Sequence, residues 1–479
     1  MRSGLFVLLL SSIAAGSLPD AVRAQGPVSE SDQTSLALIG ATVWTATGEP
    51  PLEDAVIIVK DGFLECIGLP EECAAPSDLD TLAVHGHWII PGLIDTHVHF
   101  SQTGWVDGRP DVLDLRFEFP YAEVVHALRS DSDLLFRSYL CAGVTTVFDA
   151  GGFPWTWDLR DRAAAGEVVA PRVLAAGPLL STQDHWLNLP AELQFLHMAD
   201  RDAVRAGAGY LASAGTDAIK VWYVDAPGAA APQRHPEYLR LAGEWATRAR
   251  LPLFVHATTL ERAKDALRAG ARTLVHSIED RLVDEEFMEL ATGGSARYYV
   301  PTLTVHEGYR EFHLREFRED RTEPACIDPG TLERVRSTVS LPGPPGASER
   351  AQFEATYAER RERMAENLLR VHSAGIPIAL GTDAGNPHTL HGPAVFREME
   401  AMQEAGLTPS EVLEAATRNA AAALGREIDA GTLERGKIAD LVVLSEDPTA
   451  DVRNVRSIEL VVRRGRAFPR SELTFSGEQ

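Results

Sequence analysis

Between residues 93 and 430, apolar strand-like runs alternate with amphipathic helical stretches, eight times in all. The helical stretches include PEYLRLAGEWATRAR and LERAKDALRAG. A strand followed by a helix, repeated eight times, predicts a parallel (β/α)8 barrel. A doubly wound sheet is the rival architecture, but such sheets rarely need so many regular units. The eight runs are LIDTHVHF, VTTVFDAG, RVLAAGPLL, AIKVWYVD, PLFVHATT, TLVHSIED, YYVPTLTV and IPIALGTDAG.

Short β-like runs flank the barrel segment on both sides. Residues 36–92 contain LALIGATVWTA, AVIIVKDGFLECIG and LAVHGHWII, and residues 431–479 contain GTLERGKIADLVVLSEDP and IELVVRRGRAF. Gly, Pro and Asp punctuate these runs, as is typical of short strands joined by turns. We therefore expect an α/β protein in which both chain ends form one small composite β-sandwich domain. Residues 307–374, rich in Arg and Glu, are predicted to be a helical insertion in the barrel.

The first barrel run ends with two histidines, His97 and His99, separated by one valine. Side chains alternate faces along a strand, so these two imidazoles point the same way. Two neutral imidazoles make a good ligand pair for a divalent metal. On its own the motif is equally compatible with two histidines that are hydrogen-bonded in a core or loop. The residues in the other runs have to distinguish between a metal-binding pair and a structural pair.

Four further runs carry residues that can bind metals near their carboxyl ends, which is where catalytic residues of a (β/α)8 barrel lie. A single buried histidine is usually structural, and a single lysine at a strand end usually has no special role. A whole cluster of uncompensated ionisable groups in apolar surroundings would, however, be very costly. The sequence therefore predicts a metal site built from His97, His99, Lys220, His256, His276 and Asp383.

Composition limits the classes of partner. The chain has 479 residues and a formal net charge of −24, which argues against nucleic acid or an anionic membrane as a partner. A small-molecule or dipeptide substrate is compatible with this charge, because a pocket can differ in sign from the whole surface. Assembly into a homo-oligomer is left open.

The first 24 residues have the pattern of a secretory signal peptide, with Arg2 before a short apolar run and cleavage expected after Ala24. The apolar run is too short to span a bilayer. Residues 25–35 form a polar tail. We expect a periplasmic or secreted protein.

Export permits disulfide bonds between the four cysteines. Cys66 and Cys73 are close enough in sequence to pair, whereas Cys141 lies in an apolar run and is expected to be a buried thiol. There is no C-x-x-C motif, so a thiolate zinc site is not expected.

Several motifs together resemble the amidohydrolase superfamily, in particular the branch of imidazolonepropionase and the metal-dependent Xaa-Pro dipeptidases. They are PGLIDTHVH, AGVTTVFDAGG, LGTDAG and the closing GTLERGKIADLVVL. The resemblance covers nearly all of the chain after the signal peptide. Jointly these motifs are specific for the superfamily and its fold, but they say little about the substrate.

The resemblance implies a centre with two divalent metal ions, which we expect to be zinc. His97, His99 and Asp383 would hold the more buried ion, and His256 and His276 the other. Lys220 matches the family position where a carboxylated lysine bridges both ions. A protonated ammonium cannot be a ligand, but burial and nearby cations depress a lysine pKa, so that the neutral amine can add CO₂. The alternative is an ordinary salt-bridging lysine.

Two differences from the single-metal members of the superfamily narrow the choice of reaction. Single-metal deaminases of the superfamily, and imidazolonepropionase itself, carry Glu three residues after the histidine of the fifth strand, where this chain has Thr259. Those enzymes also usually lack the strand-four lysine. Both differences favour a two-metal hydrolase that cleaves amide bonds. The implied mechanism is attack by a metal-bridging hydroxide, with Asp383 moving the proton to the leaving amine; the alternative role of Asp383 is ligand only.

We therefore predict a hydrolase that cleaves the C–N bond of a small amide such as a dipeptide or an N-acyl amino acid. A cyclic amide or lactone hydrolase of the same superfamily is the alternative, and a non-catalytic binding protein is less favoured because all six positions are filled. His185 and Tyr223 are the further candidates for contact with the substrate. Other side chains that either line the pocket or only pack its loops are His306, His388, His391, Trp105, Trp155, Trp157 and Trp186.

Overall fold

The computed structural model describes residues 35–77, 79–184, 186, 188–189, 193–225, 235–294 and 297–475. The predicted signal peptide lies outside the described residues, as do His185 and all of the predicted polar tail except Ser35. None of the helices in the described ranges combines the length and apolar character needed to cross a bilayer.

The strands follow one another along the chain as short segments, most of them four to nine residues long. They are β1 (Leu36–Val43), β2 (Leu52–Lys60), β3 (Phe63–Gly68), β4 (Asp80–Ala83), β5 (Trp88–Pro91), β6 (Leu93–Val98), β7 (Val144–Asp149), β8 (Arg172–Ala175), β9 (Leu179–Ser181), β10 (Phe195–His197), β11 (Ile219–Trp222), β12 (Leu253–His256), β13 (Thr273–Val275), β14 (Tyr298–Val300), β15 (Leu441–Leu444), β16 (Ile458–Arg463) and β17 (Arg466–Pro469).

Helices alternate with the strands through the middle of the chain and become more frequent towards the carboxyl side. They are α1 (Tyr121–Ser130), α2 (Ser132–Cys141), α3 (Thr156–Ala164), α4 (Arg201–Ala214), α5 (Pro236–Ala249), α6 (Leu260–Arg268), α7 (Glu285–Thr292), α8 (Leu303–Leu314), α9 (Pro329–Ser337), α10 (Ala347–Ser373), α11 (Ala394–Glu404), α12 (Pro409–Ala416), α13 (Arg418–Ala423) and α14 (Arg470–Leu473).

Both chain ends contribute to one β unit, as predicted. Hydrogen bonds join its strands in the order β17-β16-β15-β5-β1-β2-β3, with β4 added alongside β1. The two ends meet where β15 runs antiparallel to β5 and Val442 lies opposite Ile90. Apolar side chains such as Leu38, Ile57 and Val443 are buried together in its core. This unit connects directly to the barrel, because β5 is followed at once by β6, the first strand of the barrel.

The barrel consists of parallel strands in two hydrogen-bonded groups, β6-β7-β8 and β10-β9-β11-β12-β13-β14. The third predicted run is interrupted at Gly177, whose φ is 66°, and so becomes β8 and β9. The eighth run, residues 376–385, is not a regular strand, but its backbone bonds to both neighbours. Ala379 N–H donates to the carbonyl of Tyr299 at 3.0 Å, and Thr96 N–H donates to that of Leu380 at 3.0 Å. The eight predicted runs therefore form the strands of the (β/α)8 barrel, two of them irregular, and β10 is an additional short strand that pairs with β9.

Side chains of the barrel strands divide between the interior and the surrounding helices. Phe148, Phe254 and Val300 pack with other buried residues inside the barrel. Their strand neighbours, such as Val147 and Val255, belong instead to the cluster that packs against the helices. This alternation decides which strand residues face the centre of the barrel mouth.

The insertion is helical, as predicted, and contains most of α8 together with α9 and α10. A disulfide joins Cys141 at the end of α2 to Cys326 in this insertion, and a second joins Cys66 to Cys73. The expectation that Cys141 is a thiol is therefore wrong, although the residue is fully buried as expected. Its partner lies 185 residues further along the chain, so local sequence gave no sign of the pairing.

Candidate metal centre

The six predicted metal ligands converge at the carboxyl ends of the barrel strands. Because each follows an apolar strand, the barrel brings them to one mouth although they are far apart in sequence. They are His97 in β6, His99 directly after it, Lys220 in β11, His256 at the end of β12, His276 directly after β13, and Asp383 in the run that closes the barrel.

Asp383 lies against the pair of histidines from the first strand. Its Oδ1 atom is 3.0 Å from Nε2 of His99 and 3.4 Å from Nε2 of His97, and the two Nε2 atoms are 3.2 Å apart. Candidate ligand atoms of His97, His276 and Asp383 all lie within 4.8 Å of one another. These distances are short enough for the side chains to share a single small ion.

Lys220 lies inside the same cluster. Its Nζ atom is 3.2 Å from Nε2 of His97, and the side chain is almost completely buried, with 2% of the residue exposed. Burial lowers the pKa of Lys220 to about 8, although the carboxylates of Asp383 and Asp149 act in the opposite direction. Near pH 8 a large fraction of this amine is therefore neutral, and the neutral amine is the form that can react with CO₂.

His256 and His276 form the other side of the centre. Their ring centroids are 4.2 Å apart, and both imidazoles face the cavity. Burial lowers the pKa of His276 to about 3 and holds the pKa of His256 well below its ordinary value. Both rings are thus neutral at physiological pH and have a lone pair to offer.

Hydrogen bonds orient the rings from outside the cluster. Nδ1 of His99 donates to the carbonyl of Gly151 at 2.8 Å, which leaves the Nε2 lone pair facing Asp383. Nδ1 of His276 lies 2.8 Å from Oγ1 of Thr302. Such outer partners fix the orientation of metal-binding histidines.

The backbone at two of the ligands is strained. His276 has a φ of 76° and Asp383 a φ of 62°, a region that residues other than glycine seldom adopt. Strain of this kind persists where the surrounding structure holds it in place, and it concentrates at functional sites. Both residues lie at barrel strand ends, where a side chain has to turn towards the centre of the mouth.

The donor chemistry fits divalent metal ions. Burial by itself raises the pKa of Asp383, but His97 and the other nearby histidines hold it well below its ordinary value, so the carboxylate is ionised. Burial and the neighbouring Lys220 likewise keep the pKa of His97 far below normal, and its buried Nδ1 has no hydrogen-bond partner among the residues that the structure describes. Neutral imidazoles around an ionised carboxylate are the donors that zinc and similar ions prefer.

Comparison with known proteins agrees with this fold. The model of the amidohydrolase family matches residues 88–468, which span most of the chain and all six candidate ligands. The chain belongs to the amidohydrolase family. Membership makes it a hydrolase of a family that generally uses divalent metals.

The relatives of this amidohydrolase include several hydrolases. It is 25% identical over 449 residues to an imidazolonepropionase of Caulobacter vibrioides, covering 85% of this chain and 91% of the relative. It is 23% identical over 462 residues to ochratoxinase of Aspergillus niger, covering 89% and 84%. The structure of a Xaa-Pro dipeptidase with bound methionine superposes with a TM-score of 0.69 and 21% identity, covering 91% of this chain and all of that one.

A cavity of about 210 Å³ opens beside the candidate metal ligands of the amidohydrolase. Besides the ligands it is lined by apolar residues such as Leu179, Phe195 and Trp222, and by polar ones such as Arg109 and Tyr309. Sequence reasoning missed all five. Trp222 could have been found, since it lies two residues after Lys220 and alternation places both on one strand face. The others lie in separate loops, strands and helices that only the fold brings together.

Tyr223, which is predicted to contact the substrate, lies on the side of the strand that faces the helices. Tyr223 is three residues from Lys220, so it points away from the barrel centre and is not part of the cavity wall. It is fully buried, and its hydroxyl donates to Oδ2 of Asp265 at 3.1 Å and accepts from the N–H of His235 at 3.0 Å. Its role is to pack the strand against the helices.

The remaining histidines have different surroundings. His306 lines the cavity, although it lies in α8 and not at a strand end, because β14 already ends at Val300. His388 lies against Thr338 and Glu311, and His391 against the hydroxyl of Tyr139. Neither forms part of the cavity wall.

The four predicted loop tryptophans are also absent from the wall of this cavity. Trp105 donates from Nε1 to Thr338 at 2.9 Å, and Trp157 is buried in the core. Trp186 packs against the cavity wall, since its ring centroid is 4.6 Å from that of Trp222, which lines the cavity. The packing alternative therefore describes these residues better than a shared substrate pocket.

Proposed function

We propose that this amidohydrolase cleaves the C–N bond of a small open-chain amide, such as a dipeptide or an N-acyl amino acid, using two divalent ions and a carboxylated Lys220. The observation that carries the proposal is the position of Lys220, which is buried with its Nζ atom 3.2 Å from Nε2 of His97. A buried lysine amine among five other candidate metal-binding side chains can itself act as a metal ligand once CO₂ converts it into an anionic carbamate. Similarity to proteins named Xaa-Pro dipeptidase and imidazolonepropionase supports the choice of a small C–N substrate.

The proposed ligand sets are those that the family resemblance implies. His97, His99 and Asp383 would hold one ion, His256 and His276 would hold the other, and carboxylated Lys220 would be a ligand of both. Divalent ions bound here supply Lewis acidity, which polarises the scissile carbonyl and lowers the pKa of a water molecule. Zinc is the ion of choice for neutral imidazoles combined with carboxylate-type oxygens.

Asp383 is the proposed proton carrier. Its carboxylate is ionised and faces the cavity, so it can accept the proton of the attacking water. It then delivers this proton to the nitrogen of the leaving amine, which would otherwise leave as an unstable anion. A group that moves a proton in this way has to reach both partners, and the cavity wall places Asp383 next to the reacting centre.

The cavity wall is suited to a substrate with a polar end and an apolar end. Arg109 supplies a guanidinium that is held by Asp111 at 2.7 Å and by Tyr309 at 2.8 Å. Trp222 and Phe195 stack on each other with ring centroids 4.9 Å apart on the apolar side. This division supports an amide that carries a carboxylate or other polar group on one side and an apolar group on the other.

We also propose that the enzyme works outside the cytoplasm. The two disulfides support this location, since such bonds persist in oxidising compartments. They agree with the secretory signal peptide expected at residues 1–24.

The test is a hydrolysis screen with purified protein loaded with zinc in the presence of bicarbonate. The panel contains dipeptides, N-acyl amino acids, cyclic amides and lactones, and amine release is measured. We expect turnover of open-chain amides that is lost after chelation and restored by zinc. Turnover that survives complete metal removal would contradict the metal-dependent mechanism, and activity confined to cyclic amides or lactones would replace the proposed substrate class.

A further inference from the structure

A second cavity adjoins the one lined by the candidate metal ligands. Its volume is about 510 Å³, and it lies between α8 and α10 of the insertion, with Val112 from the loop after β6 on one side. Ligand pockets in proteins commonly have volumes of ~300–1,000 Å³, so this space can accept a bulky group.

The two cavities share part of their walls. His306 and Tyr309, one helical turn apart on α8, line both of them. Glu279 lies at the same boundary, with one carboxylate oxygen 3.5 Å from Nε2 of His306 and the other 3.3 Å from NH1 of Arg360. A molecule bound in the first cavity therefore lies beside the second one, with these side chains at the boundary.

The wall of the second cavity is unusually aromatic. Phe312, Phe353 and Tyr357 contribute to it together with the shared Tyr309. Phe353 stacks on the ring of His313 with centroids 4.1 Å apart and an interplanar angle of 25°. Phe353 and Tyr357 are only half-buried, so part of each ring faces open space.

The charges at this cavity favour certain occupants. Arg360 and Arg315 line it, and the guanidinium of Arg315 donates to the carbonyls of Phe312 and Pro342 at 2.7 and 3.1 Å. Cations attract the face of an aromatic ring and repel a positively charged group. An aromatic group that is neutral or anionic is therefore favoured over an ammonium.

We infer that this second cavity is the subsite for an aromatic portion of the substrate, so that the preferred substrates are amides bearing a large aromatic group within reach of the scissile bond. This inference rests on the proposed function, because it places the rest of the substrate at the metal ligands. His306 and Tyr309 line both cavities and so put the second space next to the first, and the half-buried rings of Phe353 and Tyr357 supply flat surfaces on which an aromatic group stacks.

The test uses two neighbouring residues of α10 that are both exposed, of which only Thr356 lines the cavity. Thr356→Trp fills the space, and Ala355→Trp is the matched control on the same helix. Substrates are N-acetyl-L-alanine, N-(2-naphthoyl)-L-alanine and N-acetyl-3-(2-naphthyl)-L-alanine. The readout is the ratio of kcat/KM between each naphthyl substrate and N-acetyl-L-alanine.

We expect one or both naphthyl substrates to be preferred at least about tenfold by the unmodified enzyme and by Ala355→Trp, because filling an apolar subsite typically changes kcat/KM by this much or more. Thr356→Trp should reduce this ratio to near one. Equal kcat/KM for all three substrates, or the same preference in both tryptophan variants, would overturn the inference while leaving the amide hydrolase intact.

A binding measurement separates this inference from the proposed function. Calorimetric titration with 2-naphthamide should detect binding to the unmodified protein and to Ala355→Trp, and much weaker binding to Thr356→Trp. If no amide is hydrolysed, the proposed function fails, but this pattern of binding would still support an aromatic site. Absence of binding, or equal binding by both variants, would overturn the site itself.

Discussion

The Nζ atom of Lys220 lies 3.2 Å from Nε2 of His97, although 123 positions separate the two residues in the chain. One comes from β11 and the other from β6, so only the curvature of the barrel brings them into contact. Both groups are buried, and burial lowers the pKa of each. A neutral amine beside a neutral imidazole is the arrangement from which a carbamate ligand can form, so this contact is the centre of the proposed chemistry.

Asp383→Asn tests the proton-carrier role. The change keeps the shape of the side chain and one ligand oxygen, but removes the basic site. General acid–base groups contribute ~10²–10⁴-fold to rate, so we expect kcat to fall at least ~10²-fold with the fold retained. Steady-state kinetics and circular dichroism check this, with the exposed Asp161→Asn on α3 as control. A metal-loaded variant with near wild-type kcat would reduce Asp383 to a ligand.

Trp222 and Tyr223 provide a matched test of which strand face forms the pocket. Trp222→Ala removes part of the apolar wall and should lower kcat/KM at least about tenfold, since burial of an aromatic side chain contributes more than the ~1.4 kcal/mol that this factor represents. Tyr223→Phe removes a hydrogen bond to Asp265 and should lower the free energy of unfolding by about 1 kcal/mol, with kcat/KM nearly unchanged. The opposite pattern of kcat/KM values would restore Tyr223 as a substrate contact.

The parts of the site that sequence alone could predict are those encoded within single strands. His97 and His99 are two residues apart, and the other candidate ligands each end an apolar run, so barrel geometry places all six at one mouth. Arg109 and Tyr309 could not be found in this way, because they lie in a loop and a helix that carry no motif. Tyr223 has an odd spacing from Lys220, so it lies on the opposite strand face and outside the cavity wall.

The fold likewise has features that local sequence patterns predict and features that depend on contacts between residues far apart in the chain. The eight units and the shared β unit follow from hydrophobic patterns repeated along the chain. The irregular backbone of residues 376–385 depends on bonds to strands on both sides, as in the 2.7 Å bond from Asp383 N–H to the carbonyl of His97. The partner of Cys141 likewise depends on where the insertion docks, which no local pattern records.

The Cys141–Cys326 disulfide should contribute strongly to stability. It closes a loop with a sequence separation of 185, whereas the Cys66–Cys73 bond spans 7. By chain entropy alone the first is expected to stabilise by about 5 kcal/mol and the second by about 2 kcal/mol. Replacing both cysteines of a pair by serine and measuring denaturant unfolding compares them directly. An equal or smaller loss for the 141/326 pair would mean that the insertion is held by other contacts.

Glu398 should make stability depend on pH. This buried carboxyl group accepts hydrogen bonds from the N–H groups of Leu303 and Thr304 at 2.9 and 2.7 Å, at the start of α8. Burial raises its pKa from 4.5 to about 8, although these bonds act in the opposite direction. Between these two pKa values Glu398 is ionised in the unfolded chain but still protonated in the folded chain. The contribution of Glu398 to the free energy of unfolding therefore falls as pH rises.

Glu398→Gln cannot titrate, so it should lose less stability than the unmodified protein when the pH is raised from 5 to 8. Urea unfolding at both pH values measures this difference, with the surface change Glu289→Gln on α7 as control. If the unmodified protein and Glu398→Gln lose the same amount of stability across this range, Glu398 is already ionised in the folded state.

The most direct test of the account is the metal content of the protein with and without Lys220. Protein loaded with zinc and bicarbonate is freed of excess ions, and bound zinc per chain is measured by elemental analysis for the unmodified enzyme, Lys220→Ala and Lys220→Glu. We predict about two ions per chain in the unmodified enzyme, fewer than two with at least ~10²-fold lower kcat in Lys220→Ala, and partial recovery of both in Lys220→Glu, whose carboxylate can replace the carbamate. No more than one tightly bound ion in the unmodified enzyme, or two fully retained ions in Lys220→Ala, would contradict the bridging role of Lys220.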